Sequence, residues 1–235
     1  MVTKAECSAI IRAAFPRCTS SRKGKDMNFE KKYEPQTIRD LVFADAAAQQ
    51  IVTKYANSYP SKHLVLFGEP GAGKTVTARV IAKERSRQFH QAQDYLEVNG
   101  GQFTSETLAK IGGFQNFTRL SDGPVTVIIN EINLLDPTQM SELRAILDSN
   151  QDLSIIATTN ETTVATKQHN MLKKAFYNRF LELPLKVPPL NAWISRAQAI
   201  LQAEGYNWTP QQVATLLQGS DSSARDIILK IELSI

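Results

Sequence analysis

The segment Gly68–Thr75 constrains the fold of this chain more than any other part of its sequence. It runs Gly-Glu-Pro-Gly-Ala-Gly-Lys-Thr and matches the phosphate-binding pattern Gly-x-x-x-x-Gly-Lys-Ser/Thr. The apolar run His63–Phe67 before it predicts a buried parallel strand, and Thr75–Arg87 after it predicts a helix. Glycines let the backbone N–H groups of such a loop surround phosphate oxygens, and the helix N-terminus adds positive partial charge. Strand, loop and helix together predict a site for a nucleoside triphosphate.

Two side chains of this loop have distinct expected roles. Lys74 is expected to reach the β- and γ-phosphates, and the Thr75 hydroxyl is expected to ligate Mg²⁺. The other expected nucleotide contacts of the loop region are Gly68, Pro70, Gly71, Ala72, Gly73 and Val76. The expected ligands are therefore a nucleoside triphosphate and Mg²⁺.

Composition narrows the class of protein without identifying it. No stretch of the 235 residues approaches the roughly 20 apolar residues of a membrane span, so we expect no membrane partner. The only cysteines, Cys7 and Cys18, make neither a zinc module nor a disulfide framework, which favours a cytoplasmic location. The formal net charge of +4 permits contact with nucleic acid but does not demonstrate it.

Strands and helices alternate from Tyr33 onward, which predicts an α/β fold with a parallel sheet flanked by helices. After the pair Pro188-Pro189 the pattern is entirely helical. We therefore divide the chain into an N-terminal extension (1–26), a nucleotide-binding sheet domain (27–187) and a small helical domain (188–235). Three interpretations of the extension are open: a flexible arm, a short helix, or a segment dispensable for folding.

Polar residues follow two of the predicted strands at the edge where a parallel sheet binds ligands. Asn130 and Glu131 end the run Val127–Glu131 in a way that resembles a Walker B motif, with asparagine where an aspartate is expected. Asn130 is expected to contribute to the Mg²⁺ site, and Glu131 is a candidate general base. Asn160 follows the next strand and is a candidate for positioning water. A polar strand end without chemistry, and for Asn160 a simple turn, are the open alternatives.

Two arginines complete an ordered pattern. Arg179 precedes the last predicted strand, and Arg225 begins the last helix; each could be an ordinary surface charge. The order of glycine loop, Walker B-like strand, strand-end asparagine and these two arginines resembles the AAA+ ATPases. Within them, the segments Lys32–Val42 and Glu97–Gly100 are most similar to clamp-loader ATPase subunits.

The resemblance implies roles that the residues alone do not. Asn160 would be sensor 1 and Arg225 sensor 2, whereas Arg179 would be an arginine finger given to the ATP of a neighbouring subunit. Tyr33 and Val42 would border the adenine, which makes ATP the expected nucleotide. The fold implied is a P-loop NTPase AAA+ module, with a five-stranded sheet in the order 5-1-4-3-2 and the C-terminal helices as a lid.

Three departures from the clamp-loader pattern stand out. Asn130 replaces the aspartate, Asn178-Arg179-Phe180 replaces Ser-Arg-Cys at the finger, and no collar domain follows the lid in this sequence. We expect hydrolysis to be weak, or dependent on DNA or a partner, because an amide does not offset the charge of Mg²⁺.

The function expected from this resemblance is an ATPase switch that acts on DNA in replication or mobile-element biology. Its expected partners are further AAA+ subunits in a homo- or hetero-oligomer, together with DNA and a sliding clamp. Two alternatives are open: a protein-remodelling AAA+ ATPase, and a structural subunit that binds ATP with little hydrolysis.

Overall fold

A computed structural model describes residues 28–58, 61–90, 95–114, 123–150, 152–161 and 175–235. It divides into two units, one of residues 35–186 and one that joins residues 28–34 to 187–235. The N-terminal extension expected over residues 1–26 lies outside the described residues. In the part of the chain that is described, no helix has the length and apolar character needed to cross a membrane.

The first unit is built on a five-stranded parallel sheet. Its strands are β1 (His63–Phe67), β2 (Leu96–Asn99), β3 (Val125–Asn130), β4 (Leu153–Thr159) and β5 (Phe180–Pro184). Their order is β2-β3-β4-β1-β5, which confirms the order implied by the AAA+ resemblance, counted from the opposite edge strand. All four neighbouring pairs are parallel, so the carboxyl ends of all five strands lie on the same side of the sheet. The glycine loop follows the carboxyl end of β1 on that side.

Helices cover both faces of this sheet, in keeping with the burial of almost every residue of β3 and β4. They are α2 (Ala46–Ala56), α3 (Lys74–Gln88), α4 (Ser105–Phe114) and α5 (Pro137–Ser149). One face joins alternate residues of β3 and β4, such as Val127 and Ile155, to Leu108 of α4 and Leu143 of α5 in a single core. Helix α3 also packs on β3 and β4 and buries Val80 and Ile81.

Helix starts in this unit follow the usual capping rules, with one exception. Asp45 caps α2, and Asp136 caps α5, with Pro137 in its first turn and a reciprocal capping box. Helix α3 instead begins after Gly73, which has no side chain to accept from the first-turn N–H groups. These donors of α3 therefore remain available to a ligand.

The second unit is helical. It contains α1 (Phe29–Lys32), α6 (Ile194–Ala203), α7 (Pro210–Leu217) and α8 (Ala224–Ser234), with a 3₁₀ turn at Leu190–Trp193 directly before α6. Thr209 begins α7 with a reciprocal capping box to Gln212. Its apolar core comprises Trp193, Ala197, Ile200, Leu201, Val213, Leu217, Ile227, Ile228 and Ile231.

Candidate nucleotide-binding site

The glycine loop has a backbone that only glycine adopts easily. Gly68, Gly71 and Gly73 have φ values of 138°, 85° and 79°. A Cβ on Gly68 would lie 2.2 Å from the carbonyl oxygen of Leu185, whereas a Cβ on Gly73 would meet nothing within 4 Å. The first glycine is therefore required by close packing against the chain after β5, and Gly73 borders open space in front of α3.

Lys74 is a buried cation held by its own loop. Its side chain folds back so that Nζ donates to the carbonyl oxygens of Gly68 and Glu69, at 2.9 and 2.7 Å. Lys74 is only 8% exposed, and this burial lowers the pKa of its ammonium. No carboxylate among the described residues forms an ion pair with it. A desolvated ammonium beside uncapped helix N–H groups has the chemistry that a phosphate group requires.

The other predicted contacts of the loop surround these groups. Thr75 and Val76 are half-buried in the first turn of α3, Ala72 is buried, and Pro70 is exposed. Ala72 donates its N–H to Glu69, which tightens the loop ahead of the helix. Thr75 thus follows Lys74 directly on the helix end that faces the open space at Gly73.

Asn130 ends β3 between two polar partners. Its Nδ2 donates to Glu97 Oε1 on β2 at 2.7 Å, and its Oδ1 accepts from Thr158 Oγ1 on β4 at 3.1 Å. Glu97 also forms a fork-like ion pair with Arg79 of α3. Glu97 was not among the predicted site residues, because only the register of β2 and β3 brings it beside Asn130.

Glu131 lies in the turn after β3 in a left-handed conformation, with φ 54° and ψ 48°. Its N–H donates to Thr158 Oγ1 at 3.3 Å, and its Oε2 accepts from Asn99 Nδ2 at 3.5 Å. A left-handed glutamate costs about 1–2 kcal/mol of conformational energy. Strand β4 thus contacts the backbone of Glu131 and the end of β2 contacts its carboxylate, at the carboxyl ends of the strands.

Asn160 and Arg179 lie at opposite ends of the parallel strands: Asn160 at the carboxyl end of β4 and Arg179 at the amino end of β5. Asn160 is exposed directly after β4, one residue beyond the pair Phe67–Thr159, and is therefore adjacent in register to the start of the glycine loop. Arg179 lies at the amino end of β5, where its Nε and Nη2 bind Asp148 at 2.7 and 2.8 Å. The structure does not bring Arg179 to the loop of its own chain.

The three remaining predicted contacts belong to different parts of the chain. Val42 is half-buried in the first unit, before α2. Tyr33 and Arg225 belong to the helical unit: the Tyr33 hydroxyl donates to Glu204, and burial raises the pKa of Tyr33. The side chain of Arg225 is 89% exposed and lies 3.5 Å from Glu30. Adenine and γ-phosphate contacts by these residues stay predictions.

A protein-family model matches the part of the chain that forms the sheet and the glycine loop. The model of the ATPase family associated with various cellular activities (AAA) matches residues 64–183, just over half of the chain. That match runs from β1 to β5 and includes the glycine loop, Asn130, Glu131, Asn160 and Arg179.

Curated relatives carry replication factor C names. Replication factor C subunit 5 of Homo sapiens is 26% identical over 147 residues, covering 61% of this chain and 42% of that protein. A probable replication factor C subunit 5 of Caenorhabditis elegans is 27% identical over 216 residues, covering 84% of this chain and 55% of that protein. A putative replication factor C small subunit of Acanthamoeba polyphaga mimivirus is 38% identical over 72 residues, covering 31% and 22%. The chain thus spans between about a fifth and about half of the length of these relatives.

Solved structures support the fold. AMPPCP-bound DnaA from Aquifex aeolicus superposes with a TM-score of 0.61 at 16% identity, covering 84% of this chain and 64% of that chain. A DnaA bound to AMPPCP and single-stranded DNA gives a TM-score of 0.60 at 16% identity, with the same coverage. At this identity the likeness concerns the fold alone. Together with the family match, it confirms the P-loop AAA+ architecture.

Proposed function

This chain belongs to the AAA family of ATPases, and on that premise we propose that it is an ATP-hydrolysing switch that works on DNA within an oligomer of AAA+ subunits. The observation that carries the proposal is the buried ammonium of Lys74, bound to loop carbonyls beside the uncapped start of α3. Phosphate oxygens would replace those carbonyls as its partners and would accept from the first-turn N–H groups.

The residues of the loop fit a triphosphate with its cation. The Thr75 hydroxyl and, through a water molecule, the amide oxygen of Asn130 would hold Mg²⁺. When bound, Mg²⁺ offsets the negative charge of the phosphate oxygens. Residues 188–235 would act as a lid, with Arg225 near the γ-phosphate and with Tyr33 and Val42 beside the adenine.

Hydrolysis would depend on groups at the strand ends. Glu131 is the candidate base for the attacking water; its backbone N–H donates to Thr158, and its carboxylate accepts from Asn99. Asn160 would position the water or the γ-phosphate from the end of β4. Arg179 would act on the ATP of a neighbouring subunit, and for that it would have to leave Asp148.

The names of the relatives support a replication-related role. Replication factor C subunits and a DnaA structure with single-stranded DNA are among the proteins this chain is similar to. We extend this to an oligomer that acts on DNA with a sliding clamp, in replication or mobile-element biology. The net charge of +4 is compatible with a DNA partner.

A second candidate function follows from Asn130. Because the amide carries no charge to offset Mg²⁺, the chain could bind ATP with little turnover and lend Arg179 to an active partner. Intact Lys74, Thr75 and Glu131 favour the hydrolysing switch instead.

The test uses two inactive variants and their mixture, assayed for ATP hydrolysis with and without primer–template DNA. Lys74→Ala should lose nucleotide binding, and Arg179→Ala should bind ATP normally but lose turnover by about 10³-fold or more. Mixing the two should restore activity, because Lys74→Ala subunits still supply the arginine.

The outcomes separate the candidates. DNA-stimulated turnover with recovery in the mixture supports the switch. Tight ATP binding without turnover under any condition supports the structural subunit. Unchanged binding and turnover in Lys74→Ala would disprove the loop assignment, and full activity of a monomeric wild-type chain would disprove the role of Arg179.

A further inference from the structure

A carboxylate from the neighbouring strand occupies the space beside Asn130. Glu97 Oε1 accepts from Asn130 Nδ2 at 2.7 Å, and Asn99, two residues later, pairs in register with Asn130. Side chains alternate along a strand, so Glu97, Asn99 and Asn130 project from the same face of the sheet. The contact is therefore a consequence of strand register and not of a flexible surface side chain.

Glu97 is itself held in place by Arg79. The guanidinium of Arg79 binds the carboxylate with both Nε and Nη2, each at 2.9 Å from an oxygen. The side chains of Arg79 and Glu97 are 36% and 25% exposed. A two-pronged pair of this kind fixes direction as well as distance. Helix α3 thus fixes Glu97, and Glu97 fixes Asn130.

This arrangement selects one of the two orientations of the Asn130 amide. A carboxylate only accepts hydrogen bonds, so the amide nitrogen must face Glu97 and the oxygen must face away. On that other side, Asn130 Oδ1 accepts from Thr158 Oγ1 at 3.1 Å. Thr158 belongs to β4, whose other neighbour is β1, the strand that leads into the glycine loop. The amide oxygen is therefore on the loop side of β3.

We propose that Glu97 is a positioning residue for the nucleotide site: it keeps the oxygen of Asn130, and not its NH₂ group, turned towards the glycine loop. The proposal rests on the proposed function, because the oxygen is needed there only if the site holds a triphosphate with its cation. A flipped amide would present two donors to a cation and could not bind a metal-bound water as an acceptor. The nearby carboxylate of Glu97 thus orients the amide, while its own charge is paired with Arg79.

The same contact predicts the effect of restoring the missing carboxylate. Asn130→Asp alone would place two carboxylates at a contact of 2.7 Å. Glu97→Gln combined with Asn130→Asp exchanges the two groups, so that the new amide at position 97 can donate to the new carboxylate at position 130. The double variant should therefore recover what the single Asn130→Asp variant loses.

The experiment has one readout without nucleotide and one with it. Thermal unfolding in EDTA is measured for the wild type, Glu97→Gln, Asn130→Asp and the double variant. Binding of a fluorescent ATP analogue is then measured in EDTA and against increasing Mg²⁺. Glu106→Gln is the matched control, because Glu106 forms an exposed pair with Lys110 on α4 and its side chain is 77% exposed.

Glu97→Gln should raise the Mg²⁺ midpoint, the Mg²⁺ concentration at half-maximal binding of the ATP analogue, about tenfold. It should leave the affinity for the analogue in EDTA within about twofold of the wild-type value, because only cation binding depends on the amide orientation. Glu106→Gln should change neither. Asn130→Asp should lower the unfolding midpoint by about 4–8 °C, and the double variant should recover most of that loss.

Equal Mg²⁺ midpoints in Glu97→Gln and Glu106→Gln would overturn the proposal, as would additive effects of the two substitutions on unfolding. If Glu97→Gln fails to fold, the double variant decides: a Mg²⁺ midpoint no higher than that of the wild type supports the proposal, and a tenfold higher one overturns it. A wild-type chain that binds no nucleotide overturns the proposed function and this role with it, whereas the unfolding measurements still report on the contact.

Discussion

Acidification should destabilise the sheet unit through His63, a mostly buried residue at the start of β1. Its Nδ1 accepts from the Ile155 N–H at 3.2 Å, and its ring lies 5.4 Å from that of Phe180. Burial and, by a smaller amount, the charge of Arg179 lower the pKa of His63 from 6.5 to about 4. The charge of Asp148 has a weaker, opposite effect and raises the pKa. Protonation would turn the acceptor into a donor that faces another donor, so the folded chain resists it.

The sign and size of the effect follow from these two pKa values. Unfolded His63 takes up a proton near pH 6.5 and folded His63 only near pH 4, so stability falls as the pH falls through this window. The full separation of the pKa values corresponds to about 3.4 kcal/mol, of which about 2 kcal/mol is lost between about pH 7 and about pH 5. For a unit of this size, that loss lowers the unfolding midpoint by about 4–8 °C.

The assay compares thermal unfolding at these two pH values in the wild type and in His63→Asn. The new amide oxygen can accept from the Ile155 N–H and does not titrate, so the variant should lose about 2 kcal/mol less on acidification. His90→Asn is the matched control, because His90 is exposed and has a φ of 47° that asparagine tolerates. A His63→Asn variant that loses as much stability as the wild type would refute the reasoning and assign the acid sensitivity to another group.

Two further predictions concern the loop and the helix that follows it. Gly68→Ala should cost at least about 3 kcal/mol of unfolding free energy, because its Cβ would collide with the Leu185 carbonyl; Gly73→Ala should cost about 1–2 kcal/mol from its left-handed backbone alone. Urea denaturation checks both, and equal losses would contradict the packing argument. Arg85→Lys should cost at least about 2 kcal/mol, since Arg85 is fully buried and donates to two backbone carbonyls. The same change at Arg87, whose side chain is 54% exposed, should cost under about 0.5 kcal/mol, and similar losses at both positions would contradict the role of burial.

The sheet and the glycine loop were predictable because their signals are local. β3 and β4 are short, mostly apolar runs rich in β-branched residues, which is typical of buried parallel strands. The loop before α3 is specified by glycines whose positive φ values other residues avoid. The order of the strands came from the family resemblance, since nothing in the runs themselves states which strands are neighbours.

Contacts across strands could not be predicted in the same way. Glu97 and Asn130 are 33 residues apart, and their hydrogen bond exists only because β2 and β3 pair in one particular register. Arg85 belongs to a charged stretch that predicts a solvated helix face, yet it is fully buried between the rings of Tyr55 and Phe89. Its long apolar stem and planar head fill this space, so charge alone misassigns such a residue.

The parallel sheet also limits how one subunit could complete its own site. The backbone N–H of His63 donates to Arg179 O, which places Arg179 level with the first residue of β1, whereas the glycine loop follows the last. At about 3.3 Å per residue, the strand separates these two ends by about 13 Å. The guanidinium is in addition turned to Asp148, at the end of α5 that leads into β4. An arginine so placed is poorly positioned to contact phosphate bound in its own loop, and it directly precedes β5, the edge strand of the described sheet. If Arg179 takes part in hydrolysis, the physical unit of catalysis is therefore a pair of neighbouring subunits.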